Sequence, residues 1–583
     1  MRKKCTSLML LVCLLLPCLT SCSLFPGPDE NDLFRQFTLE LFRQEVAADT
    51  ITLHYTVKEP ESYGIQDAPV TLGSFGADTA ASAASLENCL ALLEDFRYKK
   101  LSPENQLTFD VLKSWLETAL QGSPYALYEE PLSPLTGVQA QLPILLCEFS
   151  FDTPEDVDTY LALLEEVPAY FDSLISFEQA KSRAGLFMSS RNAQDVLDEC
   201  AAFTALGDSH YLFSSFQSRL EKLTELTDSQ KEACILQHRD LVYDCLFPAY
   251  NRLTAAVSAL KDTGTNECGL CYYPDGKKYY EYIVKRDTGS ARTVPQLQNL
   301  TREQMMEDLS AMQSVAPLSQ GEGEAPEETK AASASIFTLD DSNPEAILAD
   351  LREKTASSFP SLPEVTAEIK FVQEEMAEYV SPAFYMVPAV DNAEENVIYI
   401  NQGHLPDDLT LFTTLAHEGY PGHLYQNVYY ASTDPDPVRS LLSFGGYTEG
   451  WATYVEMLSY YFTGMDEDRA LLEQRNASVI LGLYALADMG IHYDGWSLTE
   501  TVAFFRSFGI TDTETIRDIY DLILGDPGNY LKYYIGYVEF LELKKTAVRE
   551  WGEDFSQKRF HKAVLDTGPA PFEIVERAVR EAR

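Results

Sequence analysis

Positive charge is scarce in this chain of 583 residues: 44 lysines and arginines stand against 90 aspartates and glutamates, a net charge of -46. So acidic a surface repels phosphates, which sets aside nucleic acid and anionic lipid headgroups as partners. Long apolar runs are lacking beyond the N-terminus, so no later segment reads as a membrane span. There is no GxSxG elbow, and a serine hydrolase is set aside on that ground. Cysteine is also sparse. Of eleven, only Cys89, Cys147, Cys200, Cys234, Cys245, Cys268 and Cys271 follow residue 22, an odd set that builds no disulfide framework. Cys268 and Cys271 have redox or metal spacing. They lack the second CxxC of a structural zinc site, and a local disulfide or two buried thiols is expected instead. No internal repeat is visible.

What is present begins with a targeting signal. Arg2, Lys3 and Lys4 precede an apolar run from Leu8 to Leu19, which ends Leu19-Thr20-Ser21-Cys22. This resembles a bacterial lipobox, with cleavage before Cys22 and a diacylglycerol on its thiol. The expectation is an extracytoplasmic lipoprotein, held to the membrane by its anchor alone, at the cell surface or on a periplasmic face. With 45% hydrophobic and 23% charged residues, the remainder has the composition of a folded protein.

Helical periodicity dominates up to about residue 260. Thr153 is placed to cap, Pro154 suits a first helical position, and Val157, Tyr160, Leu161 and Leu164 recur on one face. Similar patterns run through 82–97, 103–120, 193–205 and 228–260, the last with a kink predicted at Pro248, and further helix is predicted over 276–312. Residues 314–335 lose any apolar face and read as an acidic linker. Val365, Ala367, Ile369 and Phe371 then alternate with polar neighbours, and Val397-Ile398-Tyr399-Ile400 forms a second β-rich run, so a small antiparallel sheet is predicted. Helix returns after Pro406, started by Asp407 and Asp408. The expected division is a signal peptide over 1–21, a tether over 22–30, a helical region over 31–312, a linker over 313–343 and a catalytic region over 344–583.

The chemistry is carried by the scarce histidines, of which there are eight. His417 and His423 bracket Glu418 in His417-Glu-Gly-Tyr-Pro-Gly-His423, which supplies two imidazoles for a metal and a carboxylate for its water. Six residues apart, the histidines would diverge on an unbroken helix. Gly419, Pro421 and Gly422 allow a bulge or a break that turns His423 back. Catalytic zinc usually takes three protein ligands, and Glu449, an acid set between glycine and aromatic neighbours on a helical pattern, is the third expected. Glu456 lies two turns further on the same face and is placed to orient a ligand imidazole. For a donor to the developing oxyanion, Tyr533 and His492 are the candidates, the former from a cluster of Tyr530, Tyr533, Tyr534 and Tyr537 around Gly536. His404 is expected on the substrate side and His561 in a structural role.

The motif His417-Glu-Gly-Tyr-Pro-Gly-His423, followed by Glu449-Gly-Trp-Ala and Tyr533-Tyr-Ile-Gly536, resembles the bacterial domain-of-unknown-function 885 family. Leu53-His-Tyr-Thr, Pro60-Glu-Ser-Tyr-Gly64, Tyr279-Tyr280 and Phe560-His561 extend the likeness over most of the chain. That family is similar to the glutamate-ligand zinc peptidases, such as carboxypeptidase Taq and thimet oligopeptidase. The resemblance implies a mainly α fold: a large multi-helix zincin-like peptidase with its small sheet beside the active-site helix and a deep central cleft. It also implies Zn2+ as cofactor, His417, His423 and Glu449 as ligands, Glu418 as general base and short peptides as substrates; the β-rich run at 397–401 is expected to offer an edge for an extended peptide backbone. Two other readings remain open: a peptide-binding lipoprotein without catalysis, and a zinc amidohydrolase acting on cell-wall peptides.

Overall fold

The computed structural model describes residues 29–134, 136–315, 342–372 and 381–583. The expected lipobox with Cys22, and all but the ends of the expected linker, lie outside these residues. The chain is mainly helical with one small sheet, and among the described residues no helix is long and apolar enough to cross a membrane.

Local signals set the helix starts. Helix α1 (Pro154–Arg183) begins with a reciprocal pair, the Thr153 hydroxyl accepting from Asp156 N–H while the Asp156 carboxylate accepts from Thr153 N–H, and it buries Val157, Tyr160, Leu161 and Leu164. The periodic stretch from 228 is irregular near its proline: α2 (Asp228–Leu241) passes through a wide turn, Val242–Leu246, into α3 (Phe247–Leu260), with Pro248 immediately after that turn. The helical sequence expected over 276–312 forms two helices, α4 (Gly276–Thr288) and α5 (Val294–Val315), parted where Gly289 takes a φ of +65° and its carbonyl accepts from Phe572 N–H. After α6 (Pro344–Thr355) comes the sheet.

The sheet corrects an expectation. Strands β1 (Thr366–Phe371), β2 (Ala383–Met386) and β3 (Glu395–Ile400) lie in the order β1-β3-β2, with β1 parallel and β2 antiparallel to β3, so the sheet is mixed. Alternating polarity identifies a strand and its buried face but carries no information on direction. Because β3 is central and its main chain is paired on both sides, 397–401 cannot offer a free edge to a substrate; β2 is an edge strand.

The remaining helices that matter are α7 (Asp408–Glu418), α8 (His423–Ala431), α9 (Gly445–Ser459), α10 (Glu467–Met489), α11 (Asn529–Trp551) and α12 (Gln557–Thr567). Two large apolar cores are formed. One gathers Tyr160, Phe171, Val196, Phe216 and Tyr250 from the segment between 132 and 257. The other joins Phe34 and Leu112 to Tyr280, Leu297, Ile398, Leu415, Trp451 and Tyr534. Segments on both sides of the expected linker thus share a core, because burial, which linker composition does not report, decides how the chain divides.

Candidate metal centre

Helix α7 starts where Asp407 accepts from Thr410 N–H, and it ends at Glu418, one residue after His417. The chain then turns sharply through Gly419-Tyr420-Pro421-Gly422, with a cis Tyr420–Pro421 peptide, and α8 starts at His423. The turn folds tightly onto the end of α7: a Cβ on Gly422 would lie 1.7 Å from the His417 carbonyl oxygen. Two bonds hold it closed, Tyr425 N–H to Gly419 O at 3.1 Å and Trp451 Nε1–H to Pro421 O at 2.9 Å. The helix therefore breaks rather than bulges. His423 returns beside His417, their ring centroids 4.9 Å apart and their planes 80° to one another.

Helix α9 brings the carboxylate. Glu449 Oε2 lies 3.3 Å from His423 Nε2 and 3.7 Å from His417 Nε2, and the ligand atoms of the three residues all fall within 4.8 Å of one another. Two turns along α9, Glu456 Oε2 is 2.8 Å from His417 Nδ1. That contact places the Nδ1 proton on the side away from Glu449 and leaves Nε2 as the ring's donor atom for a cation. Two imidazoles and a carboxylate, one imidazole backed by a second carboxylate, form a donor set that suits zinc. Between 13% and 22% of each of the three ligand side chains remains exposed, so the cluster is recessed but open to solvent.

Tyr533 reaches the same place because α9 and α11 cross at close range. A Cβ on Gly450 would lie 2.4 Å from Gly536 Cα, and one on Gly536 would lie 2.1 Å from Gly446 O, so only glycines permit this approach. One turn before Gly536, the Tyr533 ring stands 6.3 Å from that of His417.

Glu418 is buried, and its Oε2 accepts the Tyr385 N–H of edge strand β2 at 2.8 Å. Tyr385 is itself fixed, its hydroxyl donating to Asn396 Oδ1 at 2.5 Å and accepting from Asn427 Nδ2 at 3.3 Å. Burial raises the Glu418 carboxyl above the usual carboxylate range, against the pull of the two imidazoles. For Glu449, burial works upward too, but His423, His417 and Lys532 together hold its carboxyl well below that range. Burial would depress His417, yet hydrogen bonds to Glu449 and Glu456 and the charges of Glu456 and Glu418 raise it well above the ordinary imidazole value. The Tyr533 hydroxyl is pushed well above its usual value by burial and by the charges of Glu449 and Glu418.

The other candidates go elsewhere. His492, predicted as an oxyanion donor, is buried with both ring nitrogens taken: Nδ1 accepts from Leu270 N–H at 3.1 Å and Nε2 donates to Ile523 O at 2.9 Å. Its imidazole staples two segments and has no atom left for catalysis, which corrects that expectation. His561 is structural, packed on Phe359 and bonded to Tyr454 and the Ser358 carbonyl. His404 lies exposed just after β3. Cys268 and Cys271 are free, half-buried thiols. Tyr385, Asn427 and Lys532 were not foreseen. No spacing in the sequence marks them, since they meet the site only through strand and helix packing.

The family described as "Bacterial protein of unknown function (DUF885)" matches residues 62–579. No curated protein matches. Two solved structures are similar in fold. "The crystal structure of the putative lipoprotein from Colwellia psychrerythraea" has a TM-score of 0.81 and 20% identity, the match covering 95% of this chain and 98% of that one. "The structure of a putative lipoprotein of unknown function from Shewanella oneidensis" has a TM-score of 0.63 and 17% identity, covering 94% and 98%.

Proposed function

The chain belongs to the DUF885 family, and from that premise we propose that it is an extracytoplasmic, lipid-anchored zinc peptidase of zincin-like fold that hydrolyses short peptides. The observation that carries the reading is the meeting of His417, His423 and Glu449 within 4.8 Å, beside a buried Glu418. Those three side chains would hold the zinc. When bound, it supplies a Lewis acid that polarises a carbonyl and makes water more acidic at neutral pH.

The protein's own groups then have distinct tasks. Glu418, with one oxygen held by Tyr385 N–H, keeps the other as a proton acceptor. It takes the proton of the attacking water and returns it to the leaving amine, a task suited to a carboxyl raised above its usual range. Glu456 keeps the His417 ring in place through Nδ1. Tyr533, its hydroxyl held protonated by burial and by neighbouring carboxylates, donates to the oxyanion that develops on the scissile carbonyl. Edge strand β2, beside Glu418, replaces 397–401 as the strand along which a peptide backbone aligns. The lipobox ending at Cys22 and the two similar structures described as putative lipoproteins support the anchored location.

Glu418→Gln is the direct test. With the ligands intact, it should bind zinc as the parent does and cleave unstructured peptides at least ~10²-fold more slowly. Cleavage at the parental rate would refute the reading.

A further inference from the structure

Beside this centre stands Lys532. Among the described residues Lys181 pairs with Glu130, Arg286 with Glu129 and Asp287, and Arg475 with Asp308, whereas half-buried Lys544, like Lys532, lies over an aromatic ring without an ion pair. Lys532, half-buried in the first turn of α11, makes neither an ion pair nor a hydrogen bond among the described residues. Its stem lies against the start of α9, where a Cβ on Gly445 would be 3.3 Å from the lysine Cβ and 3.4 Å from its Cδ. Its ammonium stands 5.3 Å from the ring centroid of Tyr533, the same ring that is 6.3 Å from His417. The Tyr533 hydroxyl likewise has no hydrogen-bond partner among the described residues. Two adjacent donors, one of them charged, are therefore unspent at the edge of the cluster.

In a protein of net charge -46, this half-buried lysine has its ammonium over the Tyr533 ring, and no carboxylate pairs with it directly among the described residues. A carboxylate supplied by a ligand would pair with it directly, and a lysine offers it a compact charge with three donors. Glu449 does not pair with Lys532 directly among the described residues, since its Oε2 faces the two imidazoles. An internal stretch of neutral peptide would leave the ammonium unmatched. A peptide whose last residue lies just beyond the scissile bond would bring its terminal carboxylate close, since that carboxyl carbon is only three bonds from the scissile carbonyl carbon.

We infer that Lys532 receives a substrate carboxylate next to the scissile bond, so that the protein works as a carboxypeptidase on short peptides with free C-termini. The inference rests on the peptidase reading above and specifies its substrate. The same carboxylate chemistry could come from an acidic side chain at that position, and the test separates the two sources.

Three peptides are titrated calorimetrically into the zinc-loaded Glu418→Gln protein: N-acetyl-trialanine as the free acid, its C-terminal amide, and the amide with glutamate as last residue. The free acid should bind about tenfold tighter than the neutral amide. Lys532→Met should erase that difference, while Lys532→Arg, keeping charge and fold, should retain part of it. Tight binding of the glutamate amide would assign the carboxylate to a side chain and overturn the carboxypeptidase assignment. Equal affinity for acid and neutral amide, or a preference surviving Lys532→Met, would overturn the inference. Because binding is read without turnover, a parent protein that cleaves none of the three would refute the peptidase reading while the carboxylate preference stood.

Discussion

Glu456 Oε2 lies 2.8 Å from Nδ1 of His417, so the ring that faces Glu449 with one nitrogen is gripped by a second carboxylate of the same helix through the other. Residues seven apart on α9 thus clasp the imidazole from both sides, and the ring has no freedom to turn without losing one of them.

This clasp predicts a cost in metal affinity without the loss of a ligand. Glu456→Gln keeps the shape and removes the charge, and it should weaken zinc binding by ~10–100-fold. Competition with a chelator of known affinity measures it. Unchanged affinity would mean that the contact with His417 does not orient the ring.

Zinc should also stabilise the fold. Binding to the native state alone adds ~2.7 kcal/mol when free metal is at a hundred times its dissociation constant. The melting temperature of the parent should rise on adding zinc and fall with a chelator, whereas His423→Ala should respond to neither. A zinc-dependent rise of parental size in that variant would place the metal elsewhere.

The turn between the two histidines gives a third expectation. A methyl group on Gly422 would meet the His417 carbonyl oxygen at 1.7 Å, against backbone that cannot move aside cheaply. Gly422→Ala should cost ~1–3 kcal/mol in stability and should reduce zinc affinity although every ligand is present. Denaturant unfolding and the same chelator competition read the two effects separately, and a variant that binds zinc normally would show that the turn does not set the histidine spacing.

Acid should destabilise the protein through its buried neutral histidines. Burial pushes the His492 imidazole down to about 4 and the His561 imidazole to about 3. The unfolded chain takes up these protons near pH 6.5, so between there and the folded values the unfolded state binds more protons and stability falls as pH falls. The contribution is complete above pH 6.5. Asp488 acts in the opposite sense: burial holds its carboxyl up at about 7, so its contribution is present at low pH and is lost as pH rises through 7. His492→Gln isolates the first effect. Its unfolding free energy from urea melts should vary less steeply between pH 6.5 and 4 than the parent's, by about one proton, and identical slopes would contradict the neutral assignment.

Much of the local structure was legible in the sequence, because the physics that sets it is local. Thr153 and Pro154 announce a helix start through capping and a fixed φ, and both take those positions. The proline and flanking glycines between His417 and His423 forbid a continuous helix, and the chain breaks there. Glu449 and Glu456, two turns apart, must share a face, and both meet His417.

Tertiary structure alone decided the rest. Strand direction is invisible to an alternating pattern, and the sheet is mixed. Eight histidines look alike as letters, yet His492 is used up by two backbone groups while His423 is brought beside Glu449. The Tyr385 N–H on Glu418 has no signal in its own neighbourhood, since it acquires its role from a helix distant in the chain, and Lys532, although next to Tyr533 in the chain, meets the start of α9 only through packing. Periodicity, caps and breakers act over a few residues and can be read in order; the meeting of side chains depends on how helices cross, and glycines such as Gly450 and Gly536 set that distance only once the two helices are packed.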